Sequence, residues 1–345
     1  MEAPAHLLLH RSPARWEFYA SAPPVFWSVE LKSWLTADRD VILSILKDKD
    51  FVAIDFKTET KRLSRKLGVD LRATEILFDY VPLGQEGADH AALRKKMALY
   101  MSGQSKHALK DFAVFVKGKL DASCEQGTPF NIVSDVFHPC VSHLLTALGG
   151  VGVPQRDVSL PQIFDRTLSV NRRKRLNTEI ETLLASRKSG LSPEQVALHT
   201  AAAVVGSDSI LGTITESFVY EIERNSGKRI SEIAWSENPP ITAVPYVDRI
   251  AGKASEVAGE PIEQGQRIRL YLDVFKMGDP RDREYYFGSG RHACLGKALS
   301  MQAWQILTSA FGTIDKHVEI RTVSYRKSDY LFNSPNVVEV AAHHD

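Results

Sequence analysis

The sequence predicts a mainly helical fold with a small β region gathered late in the chain, the 345 residues forming one domain. Three observations carry that expectation. A long apolar helix opens at Ser192 and closes near Asn225. Short alternating runs follow the helix-breaking pair Pro239-Pro240. No tandem repeat, low-complexity tract or linker divides the chain.

Up to about residue 80 the chain mixes short apolar runs with charge and specifies little. Asp89 to Tyr100 reads as a helix with Leu93, Met97 and Tyr100 on one face, ending near Ser102-Gly103. Phe130 to Leu148 reads as a second apolar helix, closed by Gly149-Gly150. At Ser192-Pro193-Glu194-Gln195 an N-cap, a first-turn proline and a capping-box glutamine coincide, and Gly227 supplies a stop. The middle of this helix, from Ala201 to Gly212, is apolar or small nearly all round, which predicts a buried central position. Gln266 to Leu272 alternates like a half-buried strand. A glycine-rich loop from Phe287 to Gly296 leads into a helix with Ala298, Leu299, Ala303, Ile306 and Leu307 on its apolar face. Strand signals return at His317 to Val323 and Val337 to Ala341.

Composition narrows the function classes. With 43 basic and 42 acidic residues the formal net charge is +1, so no overall field favours nucleic acid or an anionic membrane. No apolar run reaches the roughly 18 residues that span a bilayer. The segment Met1 to Arg11 lacks the apolar core and basic leader of a signal peptide, so cytoplasmic residence is expected. Three cysteines make no disulfide framework. Cys140 follows His138-Pro139 in an apolar stretch and reads as a buried thiol, Cys124 has no assigned role, and Cys294 stands in the glycine-rich loop.

That loop suits a metal-ligating thiolate. Sulfur at a helix N-terminus is stabilised as the anion by unpaired amides and the helix dipole. Amides donating to the sulfur tune the redox potential of a bound metal, and glycines let the backbone approach a flat group closely. The loop also satisfies the dinucleotide pattern G-x-G-x-x-A at Gly288 to Ala293. That motif must follow a buried strand, whereas Asp279 to Tyr286 is charged and no βαβ unit surrounds it.

The loop resembles the haem-binding signature of the cytochrome P450 family, matching it at Phe287, Gly290, His292, Cys294 and Gly296. The resemblance extends with gaps from about residue 80 to the C-terminus. It implies a compact variant of the P450 fold, with haem b between the long helix and the loop, Cys294 as axial iron ligand and Phe287 packed beneath the ring. His90 and Arg94, four apart on one helix face, resemble a propionate-binding pair, and both can donate to a carboxylate. Arg249, with Gly259, Ile262 and Gly265 at the family's offsets, and His292 complete the implied anchors. Gly206, Asp208 and Ser209 resemble the family's acid–alcohol pair, with serine in place of threonine. Heterolytic splitting of dioxygen needs protons, which a carboxylate and a hydroxyl deliver through water.

Two departures stand out. The family's glutamate–arginine pair becomes Glu232 and Trp235, and the segment between Asp279-Pro280 and Phe287 is short. Their joint loss is coherent, because that ion pair normally braces the missing segment, and a buried charge without its partner is a liability. The stretch from Gly152 to Ser192 is also short, which suggests an open pocket for a bulky or carrier-held substrate. Leu77, Phe78 and Ile241 are candidate pocket residues. The resemblance implies a monooxygenase acting on a small organic molecule, fed by a ferredoxin or flavodoxin system docking near Lys95, Lys96, Arg291 and Lys297. A partner-free rearrangement or peroxide-driven oxidation, and a non-catalytic haem sensor, are the alternatives.

Overall fold

Where apolar stripes run along the chain, the structure forms helices that bury them. The computed structural model describes residues 13–125, 127–149, 159–165, 167–186, 190–277, 279–325, 332 and 334–343. The segment from Met1 to Arg11, and parts of the short stretch before Ser192, lie outside them. Helix α1 (Pro13–Ser21) precedes strands β1 (Phe26–Ser28) and β2 (Ser33–Thr36), helix α2 (Arg39–Lys47) and β3 (Phe51–Val52). Helices α3 (Phe56–Leu67), α4 (Arg72–Phe78) and α5 (Gly87–Glu125) follow, then β4 (Phe130–Asn131) and α6 (His138–Gly149). Next come α7 (Val170–Ala185) and α8 (Pro193–Arg224), strands β5 (Tyr246–Ala251), β6 (Ser255–Val257), β7 (Glu260–Ile262) and β8 (Arg267–Tyr271), and helix α9 (Lys297–Phe311). Strands β9 (His317–Tyr325) and β10 (Pro335–His343) end the order.

One sheet runs β1-β2-β8-β5-β3, antiparallel except for the parallel β2–β8 pair, and places Arg249 of β5 opposite Ile268 of β8. A second runs β4-β10-β9. The β6–β7 hairpin turns through Ala258 and Gly259, both at positive φ, as a two-residue hairpin turn requires. A large core gathers around α5, α6, α8 and α9, and a smaller one lies under the first sheet.

Helix α8 is the central beam. Ser192 caps it through the amide of Gln195, whose side chain returns a bond to the Ser192 amide. It is also long and apolar enough to cross a membrane, but 78% of that stretch is buried inside the protein. Two helix expectations need correction. The α5 helix runs far past Ser102-Gly103, because Ala108, Phe112, Val116 and Leu120 continue a buried stripe at four-residue spacing. An exposed helical glycine costs only about 1 kcal/mol, less than that stripe returns. The segment from Phe130 instead begins as strand β4 and passes through a π-helical turn at Val133–Phe137 before α6. Pro139 explains the change of register, since it lacks the N–H that would continue an α ladder.

The two departures from the family's pattern also find structural reasons. Trp235 stacks against both Phe218 and Phe311, at 6.2 and 5.0 Å, these two rings lying 5.2 Å from each other, and it meets Trp304 edge-on at 6.0 Å. Aromatic pairs of this kind contribute about 0.5–1.5 kcal/mol each beyond burial, without the cost of burying a charge. The short segment before the loop is braced by the buried Asp282, which accepts from Arg39 at 2.6 Å and from the Lys276 amide at 3.1 Å.

Candidate functional site

Between α8 and the 287–296 loop lies a cavity of about 600 Å³. Ala202, Val205, Gly206 and Ser209 of α8 form one wall, and Phe287, Cys294 and Leu295 the other. Met97 and Tyr100 of α5 close one side, and Arg249 of β5 stands on the rim.

The loop is shaped by its backbone. Gly288 and Gly290 sit at φ +76° and +68°, and the Cys294 amide bonds back to the Phe287 carbonyl at 2.9 Å. A Cβ on Gly290 would stand 2.5 Å from the Leu46 carbonyl oxygen, so glycine is required there by both strain and space. Gly296 has an ordinary φ of −81°, and its missing Cβ would lie 3.7 Å from the Cys294 sulfur. Helix α9 starts at the next residue without a side-chain cap. The amides of Gly296 and Lys297 donate to the Cys294 sulfur instead, and the Arg94 charge lies nearby. The Cys294 side chain is exposed at the cavity that it lines. Burial pushes its thiol up from the ordinary value, against the pull of the two amides and Arg94. A cation bound at the sulfur would reverse that balance.

The implied anchors converge. Arg94 donates to the Ala293 carbonyl at 2.6 Å and lines the cavity beside Arg249 and His292. Arg249 is 4% exposed, and among the described residues its only hydrogen bond goes to the adjacent Asp248 carbonyl at 3.0 Å. Burial and the nearby Arg291 charge, opposed by Glu86 and Asp248, bring its pKa down to about 10. His90 stands behind the wall with its ring 4.3 Å from that of His292, and its buried Nε2 has no hydrogen-bond partner among the described residues. Burial and the Arg249 charge bring His292 down to about 4.

Sequence reasoning missed Glu86. Its carboxylate accepts from Arg291 at 2.6 Å, from the Ala53 amide at 2.7 Å and meets His292 Nε2 at 3.1 Å. Burial opposes its ionisation, but Arg291, the Ala53 amide and His292 together hold its pKa below the usual range. No local motif marks this residue; only the approach of the β3–α3 region to the loop makes it central. Arg291 is thereby tied inward, also bonding Asp48 and Phe51 carbonyls, and does not stand free for a docking partner. Lys96 pairs with Glu194 at 2.6 Å, and Lys297 lies 5.8 Å over the Phe287 ring. The pocket expectation for Leu77, Phe78 and Ile241 is corrected too. Leu77 and Phe78 belong to the α4 core, Phe78 standing behind Phe56, which does line the cavity. Ile241 is tied to α8 through the Ser217 hydroxyl.

On α8 the acid and the alcohol face different ways. Ser209 lines the cavity and donates within its own helix, 3.1 Å from both the Val205 and Gly206 carbonyls. Asp208 is buried one step behind that wall and accepts from the Ser159 hydroxyl.

A further polar group was not anticipated. The His199 imidazole fills the space where Gly149 lacks a side chain, a Cβ there falling 1.2 Å from Nδ1. Tyr100 donates its hydroxyl hydrogen to the Leu148 carbonyl at 3.0 Å, so its oxygen accepts from His199 Nδ1 at 2.5 Å. Burial pushes His199 down to about 4, below the ordinary 6.5. A depressed histidine stabilises the fold fully above pH 6.5 and loses that contribution as pH falls to about 4. The full span is worth about 3 kcal/mol. Urea unfolding should therefore show stability falling across that window. His199→Phe, which keeps a flat ring against Gly149, should flatten part of the slope; an unchanged slope would contradict the assignment.

By sequence the chain matches no protein-family model, and no curated protein at a significant level. By structure it is similar to many solved P450s. P450BioI in complex with a hexadec-9Z-enoic acid-ligated acyl carrier protein superposes with a TM-score of 0.75 at 18% identity, covering 96% of this chain and 98% of that one. CalO2 gives 0.74 at 16%, covering 96% and 95%. CYP109B1 from Bacillus subtilis gives 0.66 at 16%, covering 97% and 100%. The chain has the cytochrome P450 fold.

The cavity fits the group that this fold class holds. A flat apolar macrocycle with two carboxylates suits apolar walls edged by Arg94, Arg249 and His292. Among the described residues the buried Nδ1 of His292, which lines the cavity, has no hydrogen-bond partner, a polar atom that asks for one.

Proposed function

We propose that the chain is a single-domain haem–thiolate monooxygenase of the cytoplasm. It would oxidise a small organic molecule with dioxygen and two electrons from a separate ferredoxin or flavodoxin system. The observation that carries this reading is the Cys294 sulfur, facing the cavity from the start of α9 and accepting from two backbone amides. Haem b, held there by the thiolate, supplies the oxidising chemistry, the sulfur pushing electron density toward the metal.

The chain's own residues do the rest. Arg94, Arg249 and His292 would hold the propionates, with His90 packed against His292 and Glu86 fixing Arg291 and His292. Phe287 and the loop glycines would let the backbone come close to that group. Ala202, Val205 and Gly206 leave an apolar floor for substrate. Ser209 would stand at the wall as the last proton donor, with Asp208, now bonded to Ser159, supplying it. The substrate arrives free or on a carrier, the latter being the form in which P450BioI is seen beside an acyl carrier protein.

Turnover with a surrogate ferredoxin system tests the reading. Oxygen consumption and product should exceed a Cys294→Ser control, and Asp208→Asn should slow product formation about 10- to 100-fold, as loss of a proton donor does. Rates equal to the control would sink it. The placement of Asp208 behind the cavity wall, bonded to Ser159, favours one second reading, a peroxide-driven oxidation that needs no delivered protons. In that case peroxide supports turnover without reductase, and Asp208→Asn has no effect.

A further inference from the structure

Charge on this protein is not evenly spread. Residues 56–72 hold six lysines and arginines against two acids, and residues 170–175 hold four against none. In a sequence of 43 basic and 42 acidic residues, the remainder therefore has an acid excess. Lys61, Arg62, Arg65 and Lys66 occupy one side of α3, all exposed. Arg172, Lys174 and Arg175 lie in the first turns of α7, also exposed, where no acidic residue answers the positive helix end. Among the described residues none of these seven forms an ion pair. Such a concentration repels itself, so it is unfavourable in the isolated protein.

The two basic helices are neighbours at the cavity. Phe56, the first residue of α3, lines it, as do Phe164 and Thr167 just before α7. The Phe56 and Phe164 rings meet edge-on at 5.0 Å, and both pack on Phe78 of α4 at 5.8 Å. Thr74 of α4 donates twice to Asn177 of α7, at 3.0 and 3.1 Å. Glu59 of α3 lies close enough to Arg173 of α7 to favour its charge. Leu67, at the end of α3, and Ile76 of α4 are exposed, at 39% and 42%, and offer apolar contact. Basic helices thus lead to one side of the oxidation cavity.

We propose that this face docks an acidic carrier protein, which presents the substrate on a phosphopantetheine arm passing Phe56 and Phe164 into the cavity. The proposal rests on the reading of the cavity as an oxidation site. Charge complementarity argues for it: an acidic partner relieves the repulsion between α3 and α7, and the arm's phosphate meets the same cations. A membrane would need a broader apolar surface than two half-exposed side chains.

The test uses the haem-loaded protein and an acyl carrier protein bearing a hexadecenoyl chain. Wild type should bind it, and about ten-fold more weakly at 300 mM salt than at 25 mM. Arg62→Glu/Arg175→Glu should weaken binding at least ten-fold, whereas Lys106→Glu/Lys110→Glu, the same charge change on α5, should not. Absence of binding by wild type, or equal binding by both variants, would overturn the proposal. Tighter binding to phosphatidylglycerol vesicles or to a DNA duplex would also overturn it. The carbon monoxide spectrum of each protein separates the two claims. A normal spectrum without carrier binding sinks the docking face alone. Carrier binding by a protein that takes up no haem sinks the function reading alone.

Discussion

Gly290→Ala should destabilise the protein by about 2–4 kcal/mol and broaden or abolish its thiolate signature. Two costs combine. The backbone sits at φ +68°, which an L side chain adopts only with strain. The new methyl would also stand 2.5 Å from the Leu46 carbonyl, a backbone atom at the end of α2 that cannot swing aside. Relief requires the loop to move off α2, and Cys294 is tied to the same loop through the Phe287 carbonyl. Thermal unfolding and the ferrous–carbon monoxide spectrum report both effects. A variant with wild-type melting and an unshifted band would show that the loop is softer than its contacts imply. Gly296→Ala provides the comparison, since its added carbon meets the sulfur at an ordinary 3.7 Å and should cost much less stability.

Arg249→Leu should act in opposite directions on the two forms of the protein. Arg249 is buried, is bonded among the described residues only to the neighbouring carbonyl, and its charge is disfavoured by burial. Replacing such a charge with an apolar side chain of similar size is neutral or stabilising in the empty protein. In the haem-loaded protein, where Arg249 would hold a propionate, the same change would remove a charge-assisted bond to a carboxylate, worth about 1.5–3 kcal/mol. Haem loss to an acceptor apoprotein should therefore accelerate about 10- to 100-fold while apo-protein stability holds or rises. A purely structural arginine would show the reverse pattern, with lost stability and unchanged haem retention.

How much of this was legible in the sequence depends on whether the signal was local. The α8 helix was readable to within a residue, because capping, periodicity and stop signals all lie on the segment itself. The shape of the 287–296 loop was equally legible, since its glycines answer needs of the backbone within ten residues. The extent of α5 was not, because its stripe is defined by the helices that cover it. Glu86 and His199 were invisible for the same reason. Glu86 gains its role from Arg291 and His292, some 205 residues away, and His199 from a glycine and a tyrosine on two other helices. The lost arginine was visible, but its replacement by an aromatic stack needed Phe218, Trp304 and Phe311 to be brought together. The direction of Asp208 was likewise beyond a helical wheel, because Ser159 lies far from it in sequence.

The central claim is that Cys294 is a thiolate ligand to haem iron, and one spectrum tests it most directly. The purified protein, reduced with dithionite and exposed to carbon monoxide, should show a strongly red-shifted Soret band that disappears in Cys294→Ser. A haem band without that shift, or the same band in the Cys294→Ser protein, would contradict the claim.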